Sequence, residues 1–535
     1  MKFGRSTGFL LGVVGLSGAG LGCSAAANDA DITGGSDALA NNVSFANDFG
    51  RADYFSTTGF VDADKNTNPF FQDLGANHRT CNSCHKLENG MGISTATINA
   101  LFNATNGFDP IFTINDGSNA PSGPWARTTT VGDRRNTFSM LLTNGVIRVG
   151  IGLPATRDYE LVFVRDPYAF ASAAELSLFR RPLPSVNVKA NVLAMWDGRE
   201  SEGRPAIRDA LINQANDATQ GHAQRATPLD LATRQKIADF QLNLFNAQTT
   251  STLAGDLKVA ACAECETARG GAQNVRDAVL GIPGSPGIGS PGGSEGALAP
   301  FSEGVNDPFK FGGVVCAEET EPPLGPTAPC FKNVSMTFFD PFESDAIPAD
   351  GTTLTKNRTD LGDGENIFYT KKMFFTTAGG GTEVPGLSDV TINGVRLTEG
   401  TCTTCHNTPE VGSHSAKRFF NTGTSDPFVG GPNNRDHNPL ATNLGAYPYY
   451  SIGPKSNPNA YTTITDPGLA LRTGKIADLG KFKVPNLRGL GSRAPYFHNG
   501  VAKTLNDVVN FYNVKFGMHM TSEEIRKVIV FLSET

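Results

Sequence analysis

Two pentapeptides of one pattern, Cys81-Asn82-Ser83-Cys84-His85 and Cys402-Thr403-Thr404-Cys405-His406, constrain this chain more than any other feature. Two thiols separated by two residues can each add to one vinyl group of a haem. The adjoining histidine is then held under the iron as an axial ligand. A redox dithiol, a disulfide or chance would each account for one such motif. Two of them predict two covalently attached haem c groups, with His85 and His406 as the iron ligands. Covalent attachment also lets a small, loop-rich domain use the macrocycle as part of its core.

The chain has 535 residues, more than one hydrophobic core usually serves, so two or more domains are expected. Only 18% of residues are charged, and 60 Gly and 32 Pro point to a loop-rich protein. A net charge of −7 without any basic run argues against nucleic acid and anionic lipid as partners. Lys2 and Arg5 precede an apolar, Gly-rich stretch from Gly8 to Gly22, then Cys23 and the small residues Ser24 to Ala27. Residues 1–27 therefore read as an export signal, too short and too glycine-rich to make a good membrane span. Cleavage before Cys23 would leave a lipid-modified cysteine, and cleavage after the Ala25–Ala27 cluster a soluble protein. Leu21-Gly22-Cys23 resembles a lipobox, with Gly20 where Leu is usual, and the lipoprotein reading is preferred. The expected location is the periplasm, or the outer membrane as a lipoprotein, of a Gram-negative bacterium. Membrane contact is expected only through that N-terminal lipid.

Cys262, Cys265, Cys316 and Cys330 remain, an even number in an exported chain. Disulfides are expected, with three possible connectivities, of which the local pairs Cys262–Cys265 and Cys316–Cys330 are preferred. The alternative for Cys262 and Cys265 is half of a metal site, but no nearby Cys or His completes it.

The predicted fold class is mainly α, with two cytochrome c-like haem domains and loop-rich insertions. Residues 28 to about 45 read as a flexible tether. The N-terminal haem domain spans 46–268, a Gly/Pro-rich linker or insertion 269–353, and the C-terminal haem domain 354–535. Apolar spacing predicts helices over Ala206–Gln214 and Pro228–Ala247, a lead-in helix over Asp360–Phe375, and terminal helices over Thr504–Tyr512 and Thr521–Ser533. Thr521 and Glu524 have the spacing of a capping box.

Three further segments carry a family resemblance. They are Met195-Trp196-Asp197-Gly198-Arg199, the run Phe482 to Arg488 followed by Ala494-Pro495-Tyr496-Phe497-His498-Asn499-Gly500, and the helix start at Thr504-Leu505. With the two haem motifs, the chain resembles the bacterial di-haem cytochrome c peroxidases, a family that includes the MauG-like enzymes. The resemblance runs from about residue 70 to the end, leaving 86–180 and 260–355 unmatched. It implies a peroxidase-type oxidoreductase that reduces hydrogen peroxide at the N-terminal haem. The C-terminal haem stores or relays an electron, and Trp196 lies between the two. The electron donor would be a small redox protein, a cytochrome c or a cupredoxin, or a protein substrate would be oxidised instead.

At the position where the peroxidases carry a ligating Met and the MauG-like branch a Tyr, this chain has Tyr512. Tyr512 is the preferred distal ligand of the second iron; Met518, His519 and Met520 are the alternatives. The family's Gln and acid–base Glu are displaced here. Gln214 stands eighteen residues after Trp196, and the Glu slot holds Gln224, which cannot transfer protons. His222 is the candidate replacement, an imidazole suited to moving a proton between peroxide oxygens. It is alternatively a sixth ligand or an ordinary surface histidine. No His occurs between His85 and His222, which fits an open iron at the first site. The resemblance also suggests a calcium ion held by Asn136 and the carbonyls of Arg493 and Pro495. Arg488 and His498 are assigned hydrogen bonds to haem carboxylates or between domains. Three other functions stay open: a MauG-like protein-modifying enzyme, a di-haem oxygenase and a pure electron-transfer cytochrome.

Overall fold

The computed structural model describes residues 42–56, 67–119, 127–257 apart from 189–190, 192 and 205, 339, 342–344, 349–402 apart from 390, 393, 394 and 397, 405–406, 419–428 and 438–535. The export signal with Cys23, the four remaining cysteines and most of the 269–353 insertion lie outside these residues.

Nine α-helices stand beside fifteen short strands in six small sheets among the described residues, so the fold is mixed rather than mainly α. Seven of the strands are only two residues long and leave no alternating pattern to read. Asn42–Asn47 and Gly50–Ser56 form an antiparallel pair, and the latter also pairs with Leu244–Ser251. The end of the expected tether is thus a sheet strand, and Val43 and Tyr54 are buried there.

The same sheet shortens a predicted helix. Asp230 caps helix Leu231–Leu242 by accepting from the Thr233 amide, and the helix stops at Asn243. Ala247 lies in the strand that follows, where it is buried. The other predicted helix here is longer than expected, Ile207–Gly221, with His222 as its C-cap.

The second haem motif follows helix Thr353–Thr370, capped by Thr352. The predicted lead-in helix ran to Phe375; instead Met373–Phe374 pairs with Glu399–Gly400. Leu505–Lys515 and Ser522–Ser533 close the chain, and both begin with a complete capping box, Thr504 with Asp507 and Thr521 with Glu524. Helix 353–370 lies so close to helix 522–533 that a Cβ on Gly364 would come 2.1 Å from the Lys527 carbonyl oxygen. No larger residue fits at that crossing.

Each haem motif sits against its own core cluster. Cys81 packs on Phe70, Leu87, Met91 and Phe240; Cys402 and Cys405 pack on a larger cluster that includes Phe368, Val509, Phe516 and Phe531. The two halves are also stitched together. Strand Tyr159–Arg165 pairs antiparallel with Tyr449–Pro454, which pairs in turn with Thr462–Ile464. No helix among the described residues is long and apolar enough to cross a membrane.

A second seam joins the N-terminal sheet to the last helix. Ser251 Oγ donates to Glu534 Oε1 at 2.6 Å, and burial pushes the Glu534 carboxyl up to about 8 from its usual 4.5. A raised folded value makes this contribution fully present below about pH 4.5 and lost as pH rises through about 8. Glu534→Gln, neutral throughout, should melt at a higher temperature than the parent above pH 8. The difference should shrink towards pH 4.5 in thermal denaturation across that range.

Candidate active site

Two cavities are built on the two haem motifs. The first encloses about 1460 Å³, part of it open to solvent, and is lined by Cys81, Cys84, His85, Trp196, Gln214 and His222. The second encloses about 1500 Å³ and is lined by Cys402, Cys405, His406, His498, Tyr512, Met518 and Met520. Arg181, Pro182, Trp196, Lys483 and Asn486 line both and form the wall between them.

The motif residues have the chemical state a haem needs. All four thiols are free. Burial pushes Cys81, Cys402 and Cys405 up to about 12 and raises Cys84, so they face the cavities as neutral groups. Burial also pushes His85 and His406 down to about 4, leaving neutral imidazoles. His85 Nδ1 lies 3.0 Å from the Met91 carbonyl oxygen, which can only accept, so Nδ1 carries the proton. Ser185 Oγ, also at 3.0 Å, holds the ring from a second side. This leaves the Nε2 lone pair for a metal. His406 Nδ1 is buried with no partner among the described residues.

The walls carry positive charge that wants an anion. Lys483 and Arg181 are buried, and Arg493 lines the second cavity. Among the described residues these three donate to backbone carbonyls, such as those of Leu193, Ile93 and Asn486, and no carboxylate acts on them. Burial pushes Lys483 down to about 8, Arg181 to about 9 and Arg493 to about 10. A macrocycle bearing carboxylates fits such walls; a purely apolar ligand would leave these cations uncompensated.

Trp196 is locked in the shared wall. Its Nε1 donates to the Arg181 carbonyl at 2.8 Å, and its own carbonyl accepts from the Lys483 amide at 2.9 Å. Beneath the turn, Arg180 lies between two carboxylates, with Nε 2.6 Å from Asp466 Oδ2 and Nη1 2.5 Å from Asp197 Oδ2. Burial opposes ionisation of Asp197, but Arg180 and Arg199 outweigh it and hold the carboxyl well below the usual range. His498 stands beside Trp196 with ring centroids 6.1 Å apart and stacks on Phe482 at 4.0 Å. Its Nε2 lies 3.0 Å from Ser425 Oγ, and burial pushes it down to about 4.

The remaining sequence candidates divide cleanly. Gln214 and His222 both reach the first cavity, whereas Gln224 is exposed and does not line it. Tyr512, Met518 and Met520 line the second cavity, and His519 is exposed. Burial raises the Tyr512 phenol, with Cys405 and Cys402 adding to the effect. Of the calcium candidates, Asn136 is exposed on helix Val131–Thr137, and the Arg493 carbonyl accepts from Arg181 Nη2 at 2.9 Å. The guanidinium is itself a cation at that carbonyl. Arg488 is buried and lies outside both cavity walls. Sequence reasoning missed Asp116, whose Oδ2 lies 2.6 Å from His222 Nδ1, and the buried cations of the shared wall. Asp116 stands 106 positions from His222, and no spacing rule connects them.

Over 126 residues the chain is 33% identical to cytochrome-c peroxidase IdrP1 of Pseudomonas sp. (strain SCT), covering 24% of this chain and 31% of that protein. It is 38% identical over 117 residues to cytochrome-c peroxidase IdrP2 of Denitromonas iodatirespirans, covering 22% and 28%. Over about a quarter of its length the chain is similar to bacterial cytochrome-c peroxidases. A third match, the cytochrome c551 peroxidase of Nitrosomonas europaea, is 27% identical over 143 residues, covering 26% of this chain and 32% of the relative. The chain thus spans about a third of the length of the curated relatives it matches. No family model matches it.

Proposed function

We propose that this chain is an exported di-haem c-type peroxidase that reduces hydrogen peroxide to two waters, with two protons and two electrons from a small redox protein. The observation that carries this reading is the shared wall: two cavities, each containing a CxxCH motif, meet at one hydrogen-bonded tryptophan. Cys81, Cys84 and His85 would hold one haem, and Cys402, Cys405 and His406 the other. Arg181, Lys483 and Arg493 would balance the porphyrin carboxylates. Haem c, when bound, supplies the redox-active iron at which peroxide is reduced.

The chain's own groups handle protons and position. His222 Nδ1 is occupied by Asp116, so Nε2 is the atom that takes a proton from one peroxide oxygen and returns it to the departing one. The Gln214 amide orients peroxide without exchanging a proton. Trp196 provides the route for an oxidising equivalent between the modules. Tyr512 in the second wall favours a further reading, a MauG-like enzyme that oxidises a protein substrate.

The test is a stoichiometric peroxide titration of the purified holoprotein, followed by optical and electron spin-resonance spectra. The mass should include two porphyrins, and a high-spin ferric signal should vanish with the first equivalent. Two low-spin signals unchanged by peroxide would leave only electron transfer.

A further inference from the structure

We propose that Asp116 and Arg79 are positioning residues for His222, forming a buried Arg79–Asp116–His222 relay that keeps the proton on Nδ1 and presents Nε2 to the first cavity. The inference rests on the peroxidase reading and deepens it, because nothing in the sequence resemblance assigns either residue.

The relay is built from three separate segments. Asp116 is 5% exposed and lies behind His222, outside the cavity wall. One of its oxygens meets His222 Nδ1 at 2.6 Å, and the other accepts from Arg79 Nη1. Arg79 is 3% exposed, and it also donates to the carbonyls of Pro110, Ile111 and His222. The guanidinium is therefore fixed, and it fixes the carboxylate. An ionised carboxylate only accepts, so the imidazole must donate from Nδ1 and keep its Nε2 lone pair.

The backbone of His222 is clamped as well. Its carbonyl accepts from Asn77 Nδ2 at 2.7 Å, the Gly221 carbonyl from Asn115 Nδ2 at 3.1 Å, and the Ala223 carbonyl from the Ala76 amide at 2.9 Å. Gly75 allows this approach, since a Cβ there would stand 1.9 Å from the Ala223 oxygen. The segment doing the clamping runs directly into Cys81. The histidine side chain is 34% exposed, so a proton can pass between it and solvent. A buried ion pair needed only for packing has no reason to spend one carboxylate oxygen on a cavity-lining imidazole.

The test uses holoprotein and two readouts, the rate of reaction with peroxide and the rate of cyanide association, since hydrogen cyanide must also lose a proton to bind. Asp116→Asn should slow both by about a hundredfold, with the porphyrin content unchanged. Asp116→Glu should recover part of the loss. The double variant His222→Ala/Asp116→Asn should be no slower than His222→Ala alone, because Asp116 acts through the imidazole. If removing the carboxylate strands Arg79 and prevents folding, Arg79→Gln/Asp116→Asn removes both charges and the same comparison is read on that background. Full activity in Asp116→Asn, or additive losses in the double variant, overturns the relay while leaving the acid–base role of His222 standing. An unaffected His222→Ala overturns that role, and the relay with it.

Discussion

Replacing His222 with alanine is expected to slow the reaction with hydrogen peroxide by about 10²–10⁴-fold. Peroxide must lose a proton from one oxygen and gain one on the other for the O–O bond to break into water. In the proposed reaction His222 does both, and it lines the first cavity with Nδ1 engaged by Asp116. Gln214 lines the same wall but exchanges no proton, so it cannot substitute. His222→Gln separates the two contributions. It keeps a polar side chain of similar reach, so recovery to the parental rate would mean hydrogen bonding alone is needed. Loss equal to that of alanine is the expected result. Rapid-mixing optical spectroscopy at one equivalent of peroxide measures both variants.

The second large effect is on stability. Arg180→Leu is expected to destabilise the holoprotein by about 3–5 kcal/mol, the usual cost of stranding a buried charge. Asp466 would lose its two-point partner, and Asp197 would keep only Arg199, at 3.1 Å. The loss should depend on pH. Because the Asp197 carboxyl is held below its usual 3.8, its contribution is present above that value and is lost as pH falls below it. The gap between parent and variant should therefore be widest near neutrality and close on acidification. Urea denaturation at pH 7 and at pH 3 reads the difference; an equal gap at both would mean that packing, not charge, holds the turn. The Trp196 turn rests on this cluster, so slower passage of electrons between the modules should accompany the instability.

What the sequence revealed, and what it withheld, follows from the range of the forces involved. Covalent attachment of a haem would set the distance between two thiols and a histidine along the chain, so the two CxxCH motifs stand out by spacing alone. Capping is equally local: Thr521 with Glu524 was legible because hydroxyl and carboxylate meet across one turn. Helix Leu231–Leu242 was found but overrun, because strand pairing of 244–251 with 50–56 is decided by residues nearly two hundred positions away. The sheets escaped for the same reason, which is why a mainly α fold was expected. At the site, Trp196, Gln214 and His222 were identified and do reach the first cavity. Asp116 and Arg79 were not, since a buried carboxylate between an arginine and an imidazole leaves no periodic trace. The contact of Arg181 with the Arg493 carbonyl, made from across the fold, left no trace in the sequence either.

The antiparallel pairing of 159–165 with 449–454 bears on how this molecule can be taken apart. A gene cut between the two haem motifs would give fragments that each bear an unsatisfied strand edge, where backbone amides and carbonyls invite whatever chain is nearest. Such halves should precipitate when made singly and reassemble when made together. The unit that folds is therefore larger than the stretch of chain around either CxxCH motif.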